Sequence, residues 1–312
     1  MTLVVTVNGP KSIWLLADRR LSFGGRPPKD DARKVMFLET TDGVAILGYA
    51  GLGATALGTE PSVWMSAVLR TRNFPLEQSL GALAEAMKKQ FPRHMVRMPG
   101  AGGPAHNIIV PAFLDGEPRL YTIDLAFAPD RKSYAFRYTR HAVGTTTRPP
   151  RMGLGGTGGI YLLQQKDKKW IRSLLRVVKA NDGGQVSPHV VAEHLADLNY
   201  RVHLGIRDKT VPLGIRDTVG PRCVVAWRHE TGGGGHEFYT GATRDATSPC
   251  LPTIARGIDV EALVALEMPH MIKMFEARRA GQPSKEPNKD EINARLARLP
   301  DKPDEKLVRA YS

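Results

Sequence analysis

Three residues near the start of the chain, Thr2, Asp18 and Lys34, have the side chains for amide chemistry, and Gly51 lies beyond them. Removal of the initiator Met1, which aminopeptidases carry out ahead of a small residue, would leave Thr2 with a free α-amine beside its own hydroxyl. An α-amine has a pKa of roughly 8, so near neutral pH it can take the hydroxyl proton. Nucleophile and base then belong to one residue. A nearby Lys34 ammonium would keep that amine neutral and stabilise negative charge growing on Thr2 Oγ. Asp18 would hold the lysine charged and aimed. Gly51, in a glycine-rich turn, could present a backbone N–H to a tetrahedral oxyanion with no side chain in the way.

For these groups to meet, the segments that carry them must end at one place. Leu3 to Val7 and Ile13 to Ala17 read as two strands joined by the turn signal Asn8-Gly9-Pro10. Val35 to Leu38 and Val44 to Tyr49, separated by Thr41-Asp42-Gly43, read as a second pair. Thr2, Asp18 and Lys34 therefore fall at strand ends, where side chains can converge.

Asp18 and Lys34 follow Thr2 by 16 and 32 positions. With that spacing the segment resembles the proteasome β-subunits and the bacterial peptidase HslV, members of the N-terminal nucleophile (Ntn) hydrolases. Ala17-Asp18-Arg19-Arg20 is similar to the proteasomal Ala-Asp-x-Arg, and Asp31-Ala32-Arg33-Lys34-Val35 to a run in HslV. Tyr49-Ala50-Gly51 is similar to the family's aromatic-Ala-Gly turn, whose glycine donates to the oxyanion. Further on, Gly156-Thr157-Gly158-Gly159-Ile160-Tyr161 resembles Gly-Ser-Gly-Gly-Pro-Tyr of HslV, which implies a supporting hydroxyl at Thr157. Read by itself, Thr157 is equally a helix N-cap. Arg216-Asp217 resembles the proteasomal Arg-Asp-x-x-Ser-Gly, which implies a supporting role for Asp217, although Gly220 stands where serine is expected, and the Ala-Asp-x-Arg match implies one for Arg20.

The resemblance implies an α+β fold, a four-layer αββα sandwich over residues 1–245, with a helical C-terminal extension over 246–312. It implies a threonine endopeptidase acting on peptides or unfolded proteins without a cofactor. It also implies a homo-oligomeric ring and an unfoldase ATPase as partner. A small-substrate Ntn amidase and a catalytically inactive ring-forming subunit are the alternatives.

Composition narrows the class further. With 312 residues, 42% of them hydrophobic, the chain can bury a sizeable core. No apolar run reaches membrane-spanning length and the N-terminus lacks a signal-peptide pattern, so a cytoplasmic protein is expected. Cys223 and Cys250 give neither a disulfide framework nor a metal spacing, and no metal is expected. The formal net charge of +13 is spread along the chain without an aromatic-interleaved basic motif, so specific nucleic-acid binding is not expected.

Gly153 to Gly158 fits a dinucleotide G-x-G-x-x-G only literally, because Arg148-Pro149-Pro150-Arg151 precedes it instead of an apolar strand. The four glycines after Thr231 predict a hairpin tip with His229, Glu230, His236 and Glu237 in solvent. His189 and His194, five apart, share no helical face as a zinc motif would require. Helices are predicted over 62–70, 76–91, 160–180, 188–202 and 260–279, and further strands over 108–113, 120–123, 134–138 and 223–227.

Overall fold

The computed structural model describes residues 2–23, 26–51, 60–90, 106–127, 134–141, 151–166, 168–208, 216–247 and 249–281, together with 290, 291 and 294. The fold is α+β. Its two large sheets hold six and seven strands, and six helices lie among the described residues.

The first sheet is built on β1 (Val4–Asn8) and β2 (Ser12–Asp18), whose residues are all buried. A strand buried throughout is covered on both faces, and the alternation survives in where each side chain goes. Leu3, Val5, Val7, Trp14 and Leu16 enter one core, whereas Val4, Ile13, Leu15 and Ala17 enter another. β10 (Arg151–Gly155) pairs on the far side of β1. β11 (Arg222–His229), β12 (Gly234–Thr240) and β13 (Thr243–Arg244) continue the sheet beyond β2.

The second sheet is built on β5 (Val35–Glu39) and β6 (Gly43–Ala50), followed by β7 (Asn107–Leu114), β8 (Glu117–Phe127) and β9 (Tyr134–His141). A small hairpin of β3 (Leu21–Phe23) and β4 (Arg26–Lys29) lies between β2 and β5 in the chain. Val35, Phe37, Ile46 and Ala50 share a core with Leu15 and Val224 of the first sheet, so the two sheets face each other across it. On the other face, Met36, Leu38, Leu47 and Tyr49 pack with α1 (Pro61–Leu69) and α2 (Leu76–Gln90). The outer face of the first sheet packs with α3 (Gly156–Gln164), α4 (Lys169–Asp182) and α5 (Pro188–Gly205).

Several sequence expectations are corrected. The helix expected over 160–180 is two, because Gln164-Gln165-Lys166 supplies no apolar residue to bury and the chain turns extended at Gln165. Within the glycine-rich stretch, residues 151–155 form β10, which was not among the predicted strands, and α3 begins at Gly156 instead of residue 160. Glycines hide the side-chain alternation that marks a strand. Before α6 (Val260–Arg279), the extension expected to be helical forms β14 (Thr253–Ala255) and β15 (Ile258–Asp259), and β14 runs parallel to β5 with β15 at the sheet edge. The predicted hairpin tip is present, but Glu237 is buried rather than solvated, held by Tyr239, His189 and Arg244. The stretches 52–59, 91–105 and 209–215 lie outside the described residues.

Trp14 stacks on Trp227 with ring centroids 5.4 Å apart beneath α5, at the centre of the core that supports β1 and β2. Trp14→Ala should cost about 3–5 kcal/mol of stability, read as a lowered urea midpoint; a loss under about 1 kcal/mol would contradict this packing.

Candidate active site

Thr2 lies two residues before β1, Asp18 ends β2 and Lys34 directly precedes β5. The antiparallel pairing of β1 with β2 sets the first two side by side. Asp18 N donates to Leu3 O at 3.0 Å, and Leu3 N donates back to Asp18 Oδ1 at 2.9 Å. Lys34 comes from the facing sheet and reaches across. Its Nζ donates to Thr2 Oγ1 at 2.7 Å, to Asp18 Oδ1 at 3.2 Å and to the Arg20 carbonyl at 2.5 Å. All three ammonium protons are used. The Asp18 carboxylate is equally occupied, since its Oδ2 accepts from Arg20 N at 3.0 Å and Gly220 N at 3.1 Å.

Thr2, Asp18 and Lys34 are all buried. A buried ion pair costs several kcal/mol of desolvation per ion, which only good geometry and satisfied hydrogen bonds offset. Both conditions hold here. Burial still pushes the Lys34 ammonium below the ordinary lysine range, with Asp18 opposing the shift. A lysine so placed can stabilise an alkoxide on Thr2 Oγ, and its lowered proton affinity also brings it closer to accepting a proton.

The other expected residues are placed as follows. Gly51 directly follows β6, and Tyr49 N donates to Lys34 O at 2.9 Å, which lays that end of β6 beside the lysine. Arg20 forms a bidentate pair with Asp30, at 2.6 and 2.8 Å, and donates to the Asp217 carbonyl at 3.2 Å. Its backbone thereby stays aligned for both Lys34 and Asp18. Asp217 enters the arrangement through that carbonyl alone; its carboxylate is exposed, 4.0 Å from Arg207 Nε. Thr157 does not cap α3, a position Gly155 occupies; its hydroxyl instead bonds the buried Thr218 hydroxyl at 2.6 Å.

The start of α3 clamps Thr2 from the other side. Gly158 N donates to Thr2 O at 3.1 Å, and a Cβ at Gly156, whose φ is +74°, would lie 2.1 Å from that oxygen. Only glycine fits there. Gly220 is explained in the same way: a Cβ would fall 2.5 Å from Asp30 Oδ1 and 2.9 Å from Arg20 Cβ, so serine would not fit between them.

Sequence reasoning missed Asp30, Thr218, Asn199 and the Gly220 N–H. Asn199 holds the Gly220 carbonyl at 3.1 Å. The acidic pair Asp30-Asp31 so close to Arg20 was a readable signal for the first, but the others act through partners distant in sequence and leave no pattern. Cys223 sits opposite Asp18 in register, and burial pushes its thiol up, away from thiolate chemistry. Among the described residues, no group of three His, Cys, Asp or Glu is placed to hold a metal ion, and no helix is long and apolar enough to cross a membrane.

No protein-family model and no curated protein matches the chain. Among solved structures it is similar to a mutant of Anbu from Hyphomicrobium sp. strain MC1, with 13% identity and a TM-score of 0.44 over 79% of this chain and 89% of that one. It is also similar to Anbu from Pseudomonas aeruginosa in a helical assembly, with 14% identity and a TM-score of 0.43 over 92% of this chain and 99% of that one. These scores are too low to carry a fold or an activity across. The neighbours are Anbu proteins and not proteasome β-subunits or HslV, so the assignment to that family does not stand. The motifs behind it cluster at the site and report local chemistry, whereas the likeness over the whole chain is faint.

Replacing Lys34 isolates its part in the cluster. Lys34→Met leaves Asp18 buried without its cation and should cost about 3 kcal/mol at pH 7. Because the folded Lys34 pKa lies below its ordinary 10.5, the unfolded chain binds more protons between the two values. Wild-type stability relative to Lys34→Met should therefore rise with pH up to about 10, by at most about 1.4 kcal/mol per pH unit. Urea midpoints at pH 8, 9 and 10 measure this, and a falling difference would contradict the lowered pKa.

Proposed function

We propose that the chain is a threonine hydrolase of amide bonds, with Thr2 as nucleophile once its amine has been freed by removal of Met1. The observation that carries this reading is the 2.7 Å contact from Lys34 Nζ to Thr2 Oγ1 inside a buried cluster whose polar groups are matched. A threonine that served only for packing would need no buried cation on its hydroxyl.

In the proposed reaction, Thr2 Oγ attacks the amide carbonyl while the α-amine takes its proton. Lys34 stabilises the charge on Oγ, Asp18 holds Lys34, and the Gly51 N–H receives the oxyanion. Collapse of the tetrahedral intermediate breaks the C–N bond, the α-amine returns its proton to the leaving amine, and an acyl ester remains on Thr2. Water, deprotonated by the same amine, then hydrolyses the ester and restores the threonine.

In this reading residues 1–245 form an αββα hydrolase domain, and the extension over 246–312 is joined to it through β14 at the edge of β5. The reading extends to peptide or unfolded-protein substrates, a cytoplasmic setting, a homo-oligomer and an unfoldase ATPase partner. The Pseudomonas aeruginosa Anbu, described as a helical assembly, is a precedent for self-association in a protein of loosely similar shape.

Rates on casein, fluorogenic peptides and small amides should separate a peptidase from a small-substrate amidase. Thr2→Ala should lower any such rate at least about 1,000-fold with the fold intact by circular dichroism, its unfolding midpoint lowered by the loss of one Lys34 acceptor, and Thr2→Ser should keep measurable activity. A Thr2→Ala protein that hydrolyses at the wild-type rate would overturn the proposal, and a wild type inert on all three would point to a silent subunit.

A further inference from the structure

Helix α6 is 20 residues long, and none of them is buried. Helices in proteins gain most of their stability from packing an apolar face, so a helix with no buried residue calls for a partner. Its start is well anchored: Asp259 accepts from Ala262 N at 3.0 Å and pairs with Arg70 at 2.7 Å, and Arg33 binds Glu261 at 2.8 Å. One side, through Ala262, Leu263, Leu266, His270, Met274 and Ala277, is partly covered. The side turned away carries Val264, Met268, Met271, Ile272 and Phe275, each between 43 and 58% exposed.

The spacing of that exposed row is specific. Positions 261, 264, 268, 271, 275 and 278 follow one another at alternating intervals of three and four, the seven-residue repeat of a helix–helix seam. Its four central members are apolar, and it ends in Glu261 on one side and Arg278 on the other. The row is also symmetric about the point between Pro269 and His270.

We propose that this face of α6 binds α6 of a second copy of the chain in antiparallel orientation, about a two-fold axis through that point. Val264 then meets Phe275 of the second copy, Met268 meets its Met271, and Glu261 meets its Arg278. The charges select the direction, since a parallel pair would set Glu261 against Glu261 and Arg278 against Arg278. Antiparallel helix dipoles act the same way. Glu261 already accepts from Arg33, and its carboxylate has room for a second guanidinium. The apolar row spans only about 17 Å, so the association through it is reversible and concentration-dependent. The inference does not depend on the reaction proposed for Thr2.

Disulfide trapping in the full chain reads both contact and direction, in a Cys250→Ser background to remove the exposed native thiol. In the proposed pair, position 268 faces 271 of the second copy, whereas the two 268 positions are offset by about 4.5 Å along the axis as well as across it, beyond disulfide reach. M268C/M271C should therefore oxidise to a covalent dimer of twice the 34.2 kDa chain mass, while M268C alone should not. Met268→Glu/Met271→Glu should lower the sedimentation mass of the otherwise native chain. Equal dimer from M268C alone would overturn the orientation. No dimer from the double variant, together with an unchanged mass for the glutamate variant, would overturn the interface, as expected if the chain's own residues beyond 281 lie on the stripe.

Discussion

A lysine ammonium taken out of water must find an acceptor for each of its protons, and in this protein Lys34 finds them on three residues of two chain segments. Thr2 brings a hydroxyl from the start of β1, Asp18 a carboxylate from the end of β2, and Arg20 a carbonyl from the residues just after it. If one were missing, the remaining buried charge would cost more than the others return. That requirement ties the two sheets together at this end, because Lys34 belongs to one and its acceptors to the other.

The surrounding structure serves to hold those acceptors still. The β1–β2 register fixes Thr2 beside Asp18, and β11 on the far side of β2 leads in from Gly220, whose N–H completes the carboxylate's bonds. Arg20 is held by Asp30 and by the Asp217 carbonyl, and the first turn of α3 fixes the Thr2 carbonyl. The two glycines that approach most closely, Gly156 and Gly220, stand where any side chain would collide with this frame. Rigidity of this kind is what a poised nucleophile needs, since attack geometry tolerates little displacement.

The chain revealed its strands and its three chemical residues because both leave local marks: alternating or continuous apolar runs bounded by turn residues, and charged side chains placed at their ends. The separation of α3 from α4 and the strand character of Arg151–Gly155 were hidden by polar and glycine residues, which carry no periodic signal. β14 was illegible because a three-residue strand owes its place in the sheet to a partner more than 200 positions away. Within the site, Thr157 was visible as a hydroxyl but not as the mate of Thr218, and Asp217 suggested a carboxylate where only its carbonyl takes part. The family suggested by the N-terminal motifs went further than those motifs can reach. They describe some fifty residues around one cluster, and related chemistry can sit on differently elaborated chains.

The central claim is that one residue provides both the attacking oxygen and its proton acceptor. An α′,β′-epoxyketone probes that claim directly, because it closes a six-membered ring only with a hydroxyl and a free amine on the same residue. Mass mapping of treated protein should find one equivalent of inhibitor on the N-terminal peptide, joined to Thr2 through both oxygen and nitrogen. An unmodified Thr2 still preceded by Met1 in protein that hydrolyses amides, or an adduct at another residue, would contradict it.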